Sequence, residues 1–142
     1  MADRLFLDAN VLFTAAHRPE GKAAFLLRAW PPQAVAPWEL LSSAYALEEA
    51  RRNLTVKFPD ALARWPAILA RVQVVTQPAR APHPLTLPYT DQPIWAAAQA
   101  AAATHLLTGD LRDFGPHMNR PVATAGITIQ TVGDYLAGRL AR

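Results

Sequence analysis

Short apolar runs closed by polar or turn-forming residues alternate along the chain with longer segments whose apolar side chains recur every three or four positions. That order predicts strands and helices in alternation. Arg4 to Leu7 is the first run, closed by Asp8. Ala9 to Ala16 reads as a turn and the start of a helix. Ala23 to Trp30, after Gly21-Lys22, reads as a second helical stretch stopped by Pro31-Pro32. Gln33 to Ala36 is the expected second strand. Pro37 suits a first helical position, and Leu40, Leu41, Ala44, Leu47, Ala50 and Leu54 form an apolar stripe, which predicts a helix over residues 38–54. Asp60 is placed to cap a helix running toward Arg71, kinked or split at Pro66. Val72 to Val75 is β-branched and reads as a third strand. Asp91 opens a helix through Ala103, His105 to Thr108 is a fourth strand, Ile127 to Gln130 a fifth, and Thr131 caps a last helix through Leu140.

Five of the 13 prolines fall within residues 78–93, so that stretch is a loop. Neither an internal repeat nor a domain boundary is visible. The expectation is one α/β domain over residues 1–142, with a mostly parallel sheet and helices on both faces.

Composition narrows the chemistry. Of 142 residues, 51% are hydrophobic and 18% charged, which excludes a disordered chain. The absence of cysteine excludes disulfides, thiolate catalysis and cysteine-held metals. The longest apolar candidate, Ile94 to Ala103, is broken by Gln99, so no membrane span is expected. The opening Met1-Ala2-Asp3-Arg4 lacks a signal-peptide pattern, and the expected location is cytoplasmic. Fourteen basic residues against 11 acidic give a net charge of +3, and only Lys22 and Lys57 among the bases are lysines.

Several of the few carboxylates sit where a parallel sheet places its ligands, beyond the carboxyl ends of its strands. Asp8 follows the first strand, Asp110 follows the fourth after one glycine, Asp91 begins the helix leading into the fourth, and Glu48 and Glu49 lie on a helix. Taken singly, each has a plain structural role: Asp8 and Asp110 as turn residues, Asp91 as a cap competing with Thr90, and the glutamates on a solvated face with Arg51 and Arg52. Taken together they repel one another, and they stay ionised as a group only around a cation. Oxygen donors favour magnesium or manganese over zinc. Such a centre can activate water and stabilise an in-line displacement at phosphate. With Asp8, Glu49, Asp91 and Asp110 set aside, seven acids remain against 14 bases, an arginine-rich surround suited to phosphates. The tryptophans at 30, 38, 65 and 95 read as core or interface anchors rather than base-stacking platforms. Signatures for dinucleotide binding, a phosphate-binding P-loop and a serine nucleophile elbow are absent. A phosphoaspartate domain is disfavoured by Asn10 in place of a second aspartate and by the lack of a lysine beyond residue 57.

Leu5-Phe6-Leu7-Asp8-Ala9-Asn10-Val11-Leu12 resembles the opening motif of the PIN-domain nucleases. Ser43 to Leu54, with Glu48-Glu49, resembles the glutamate-bearing second motif. Asp91-Gln92-Pro93-Ile94-Trp95-Ala96-Ala97-Ala98 resembles the third, and Thr108-Gly109-Asp110-Leu111-Arg112-Asp113-Phe114 the fourth. The four occur in family order, and the wording is nearest to bacterial, VapC-like PIN proteins classed as toxins of toxin–antitoxin pairs. The resemblance implies a PIN-like three-layer α/β/α fold with a five-stranded sheet ordered 3-2-1-4-5. It implies a metal-dependent endoribonuclease cutting single-stranded RNA, with one or two ions of Mg2+ or Mn2+ held by Asp8, Glu49, Asp91 and Asp110. Glu48 is the alternative to Glu49, and Asn10, Thr108 and Asp113 are supporting groups. Implied partners are RNA, a cognate antitoxin protein and a second copy of the chain. The alternative function is a PIN-like binding module for nucleic acid or protein, and the presence of all four acids argues against it.

Overall fold

A computed structural model describes residues 2–28 and 34–140. Five parallel strands form one sheet ordered β3-β2-β1-β4-β5, the expected order. β1 spans Asp3–Leu7, β2 Trp38–Ser43, β3 Gln73–Val75, β4 His105–Leu107 and β5 Thr128–Gln130. Six helices connect and flank them: α1 Ala9–His17, α2 Lys22–Leu26, α3 Ala44–Lys57, α4 Trp65–Leu69, α5 Gln92–Ala100 and α6 Val132–Leu140. Side chains alternate between the two faces of a strand, yet Leu5, Phe6 and Leu7 are all fully buried. Both faces of the central strand are therefore covered, as a parallel sheet requires. Trp38, Trp65 and Trp95 belong to the core; Trp30 lies outside the described residues.

The second strand and the helix after it differ from the sequence expectation. Residues 34–36 are exposed and form no strand, and Gln33 lies outside the described residues. The strand is Trp38–Ser43, paired from Asp3↔Trp38 to Phe6↔Leu41, so the helix starts at Ala44 and not at Trp38. Leu40 and Leu41 satisfied a helical stripe, but an apolar run this short fits either element, and hydrogen bonding to β1 decides it. Pro37, lacking an N–H, precedes the strand where no ladder bond is needed. The helix start is set by Ser43, whose hydroxyl accepts from the Ala46 N–H at 3.2 Å.

Smaller differences have local causes. α2 ends at Leu26, and the Ala29-Trp30 part of the expected helix lies outside the described residues. The segment after α3 splits into a 3-10 turn, Pro59–Arg64, and α4, with Pro66 in the first turn of α4; Asp60 lies inside the 3-10 turn and caps nothing. Thr131 caps α6 as expected, accepting from the Asp134 N–H at 3.0 Å. The proline-rich loop is tied to α5: the Trp95 indole N–H donates to the His83 carbonyl, and Gln92 Nε2 donates to the carbonyls of Leu85 and Leu87.

Candidate active site

The chain runs outward from β1 through β2 to β3, then returns to lay β4 against the other side of β1. Such a reversal opens a crevice at the carboxyl ends of the two central strands. Asp8 leaves β1 there, and Thr108-Gly109-Asp110 leaves β4. α3 and the turn before α5 bring Glu49 and Asp91 to the same place. Asp8, Glu49, Asp91 and Asp110 line one cavity of about 320 Å³.

Asp8 is almost fully buried, at 4% exposure, and heavily hydrogen-bonded. One oxygen accepts from the Ala9 N–H, capping α1; the other accepts from Asn10 Nδ2 at 3.1 Å and from the Thr108 hydroxyl at 2.8 Å. Asn10 also accepts from the Gly109 N–H at 2.6 Å, which fastens the loop after β4 to the start of α1. Thr108 and Asn10 are thus placed to support the carboxylates. Burial outweighs the hydrogen bonds and, with the charges of Glu49 and Asp110, pushes the Asp8 carboxyl up to about 6.

Asp91 precedes α5 but makes no capping bond, so the capping role that its sequence position suggested is not used. Its Oδ2 is buried with no hydrogen-bond partner. Burial first, then the adjacent Asp113 carboxyl and the charges of Asp8 and Asp110, push it up to about 7. One carboxylate oxygen each of Asp91, Asp110 and Asp113 lies within 4.8 Å of the other two. Asp113 therefore stands closer to the acidic group than a supporting residue need. Its position follows from the turn in which the Asp110 carboxylate accepts the Asp113 N–H at 3.1 Å.

The two glutamates point apart, as adjacent helical residues must. Glu49 lines the cavity, whereas Glu48 is exposed and pairs with Arg51 at 2.6 Å. Phe13, Asn53 and Lys57 also line the cavity and were not singled out in the sequence. A signal for two of them was present: Tyr45, Glu49, Asn53 and Lys57 follow one another at intervals of four, a polar stripe along α3. Tyr45 donates its hydroxyl to the Thr90 carbonyl at 2.9 Å, pinning the residue before Asp91; burial, then the charges of Glu49 and Asp91, raise its phenol.

The donor set fits a hard divalent cation. The donors are carboxylate oxygens, one of them is buried without a partner, and two carboxyls are held well above their ordinary range by burial and mutual repulsion.

No family model matches the sequence, and no curated protein matches it. Solved structures do match the fold. One is a chain of VapBC2 from Rickettsia felis bound to a DNA fragment from their promoter, with a TM-score of 0.61 and 14% identity over 90% of this chain and 98% of that one. Another is a chain of VapBC-1 from nontypeable Haemophilus influenzae, with a TM-score of 0.57 and 15% identity over 92% of this chain and 98% of that one. The fold is PIN-like. At these identities it is the architecture that is shared. Among the described residues, no helix is long and apolar enough to cross a membrane.

Proposed function

We propose that this PIN-like chain is a divalent-metal-dependent endoribonuclease that cleaves single-stranded RNA and serves as the toxin of a toxin–antitoxin pair. The observation that carries the proposal is the convergence of Asp8, Glu49, Asp91 and Asp110 on one cavity, with Asp113 beside them and an unpartnered Asp91 oxygen among them. Asp91, Asp110 and Asp113 would hold the cation, with Asp8 and Glu49 adding charge. When bound, it would supply Lewis acidity toward a phosphoryl oxygen and lower the pKa of water.

The chain's own groups do the positioning. Thr108 and Asn10 lock the Asp8 carboxylate, Tyr45 holds the Thr90–Asp91 turn, and Lys57 at the cavity wall offers a cation to the phosphodiester. None of the four histidines lines the cavity, so a histidine acid–base pair acting through the RNA 2′-hydroxyl has no support. The antitoxin partner is proposed from the likeness to chains of VapBC complexes.

The test is cleavage of labelled single-stranded RNA with magnesium, manganese or chelator, followed by end-group analysis. Products with 5′-phosphate and 3′-hydroxyl ends, abolished by chelation, are expected. Cleavage that survives chelation, or 2′,3′-cyclic phosphate ends, would show the mechanism to be wrong. Metal-independent RNA binding without cleavage would leave the binding-module alternative.

A further inference from the structure

A second cavity of about 730 Å³ lies beside the acidic one. The two have no lining residue in common but are lined from the same two elements. On α3, Tyr45 lines the larger cavity and Glu49, one turn on, lines the acidic one; an i, i+4 step is about 6 Å along the helix. On the turn before α5, Tyr89 faces the larger cavity and Asp91 the acidic one. A chain lying across the acidic centre and running along these two elements therefore passes toward this cavity.

Its lining has a definite chemistry. Tyr45 and Tyr89 supply aromatic rings, and Pro78 an apolar wall. Gln77 and Gln92 donate their Nε2 groups to the carbonyls of Pro93 and of Leu85 and Leu87, which fixes the sense of both amides. Arg80 is exposed and makes no ion pair among the described residues, and no acid lines the cavity. Tyr89 is 91% exposed, a large aromatic surface left to solvent. Flat rings, a fixed amide pair and one free guanidinium match a nucleobase with an adjoining phosphate. The volume is in the range of small-molecule sites.

We infer that this cavity is a nucleotide subsite: it receives an unstacked base of the single-stranded RNA against its tyrosines, with the neighbouring phosphate on Arg80, next to the bond held over the carboxylates. The subsite rests on the nuclease proposal and deepens it, giving the proline-rich loop between β3 and α5 a role in substrate choice.

The test compares the wild type with Tyr89→Ala, Tyr89→Phe and Arg80→Gln. All three changes fall on exposed side chains, so the fold is retained. The probe is a fluorescein-labelled single-stranded RNA 12-mer of mixed sequence, with affinity measured by anisotropy in chelator and cleavage measured with manganese. Loss of one stacked base should weaken binding about 5- to 150-fold in Tyr89→Ala. KM should rise by a similar factor with kcat changed far less, and Tyr89→Phe, which keeps the ring, should recover most of the affinity. Arg80→Gln should lower the slope of log affinity against log salt by about one phosphate contact. If the wild type binds and cleaves while Tyr89→Ala and Arg80→Gln match it in affinity, KM and salt slope, the subsite is overturned and the nuclease proposal stands; the cavity then suits a protein partner. If the wild type neither binds nor cleaves the RNA, both fall.

Discussion

The Thr108 hydroxyl donates to Asp8 Oδ2 at 2.8 Å, joining two residues 100 positions apart at the ends of adjacent parallel strands. Both are buried, and the same Thr108 oxygen accepts from the Asp110 N–H at 3.1 Å and from Asn10 Nδ2 at 3.1 Å. One hydroxyl thus sets the positions of two acids of the candidate centre.

Thr108→Val keeps the shape and removes that donor. A hydrogen bond to a charged buried group contributes about 1.5–3 kcal/mol, so a stability loss of that order is expected, measured by denaturant unfolding. Because this bond lowers the Asp8 pKa, its loss should raise that pKa above about 6, which carbon-detected NMR of the carboxyl would read. An unchanged titration would contradict the role given to Thr108.

Glu49 and Glu48 should separate cleanly. Glu49→Gln removes a charge from the acidic cavity and should lower RNA cleavage by about 100-fold or more, with little change in melting. Glu48→Gln breaks only an exposed pair with Arg51 and should leave cleavage within about twofold. Equal losses from both would mean that Glu49 is not the glutamate that faces the acidic centre.

Metal-free stability should depend on pH in an unusual direction. The Asp8 and Asp91 carboxyls are raised to about 6 and about 7, so between pH 4 and 7 the folded chain binds more protons than the unfolded one. Stability contributed by these two groups is then present at low pH and is lost as pH rises through their folded values. For buried Asp8 the effect is on the order of 3 kcal/mol. In chelator, the chain should melt higher at pH 5 than at pH 7.5. Manganese should raise the melting temperature at pH 7.5 much more than at pH 5. Identical manganese effects at both pH values would argue against a cation bound among these carboxyls.

At the opposite end of the central strand, the buried Tyr135 donates its hydroxyl to Asp3 Oδ2 at 2.7 Å. Tyr135→Phe should cost about 1 kcal/mol in unfolding free energy and leave RNA cleavage untouched, since it removes one hydrogen bond far along β1 from the carboxylates. A large loss of cleavage in a folded Tyr135→Phe protein would break the assignment of the chemistry to the other end of the sheet.

The sequence by itself determined what depends on local chemistry. Leu5-Phe6-Leu7 before Asp8 and Leu106-Leu107 before Thr108 read as buried strands because they are short apolar runs closed by polar or turn residues, and strands of a parallel sheet place the acids that follow them beyond their carboxyl ends. Thr131 marked the start of α6 because a side-chain cap is a contact within one turn. The sheet order, by contrast, came from the resemblance of four motifs and not from periodicity. Tertiary structure decided what rests on distant partners. Trp38–Ser43 became a strand because β1 offered it a parallel ladder, although its leucines also fit a helix. Glu49, which the resemblance favours over Glu48, is turned into the cavity by the packing of Ala46, Leu47, Ala50 and Leu54, which fixes the rotation of α3. Asp113 joined Asp91 and Asp110 through a turn after β4, and the proline-rich loop became a cavity wall through hydrogen bonds from α5. Each of these outcomes is a meeting of segments far apart in the chain. Local propensity carries no information about such meetings, because the free energy that selects them is released only when the segments pack.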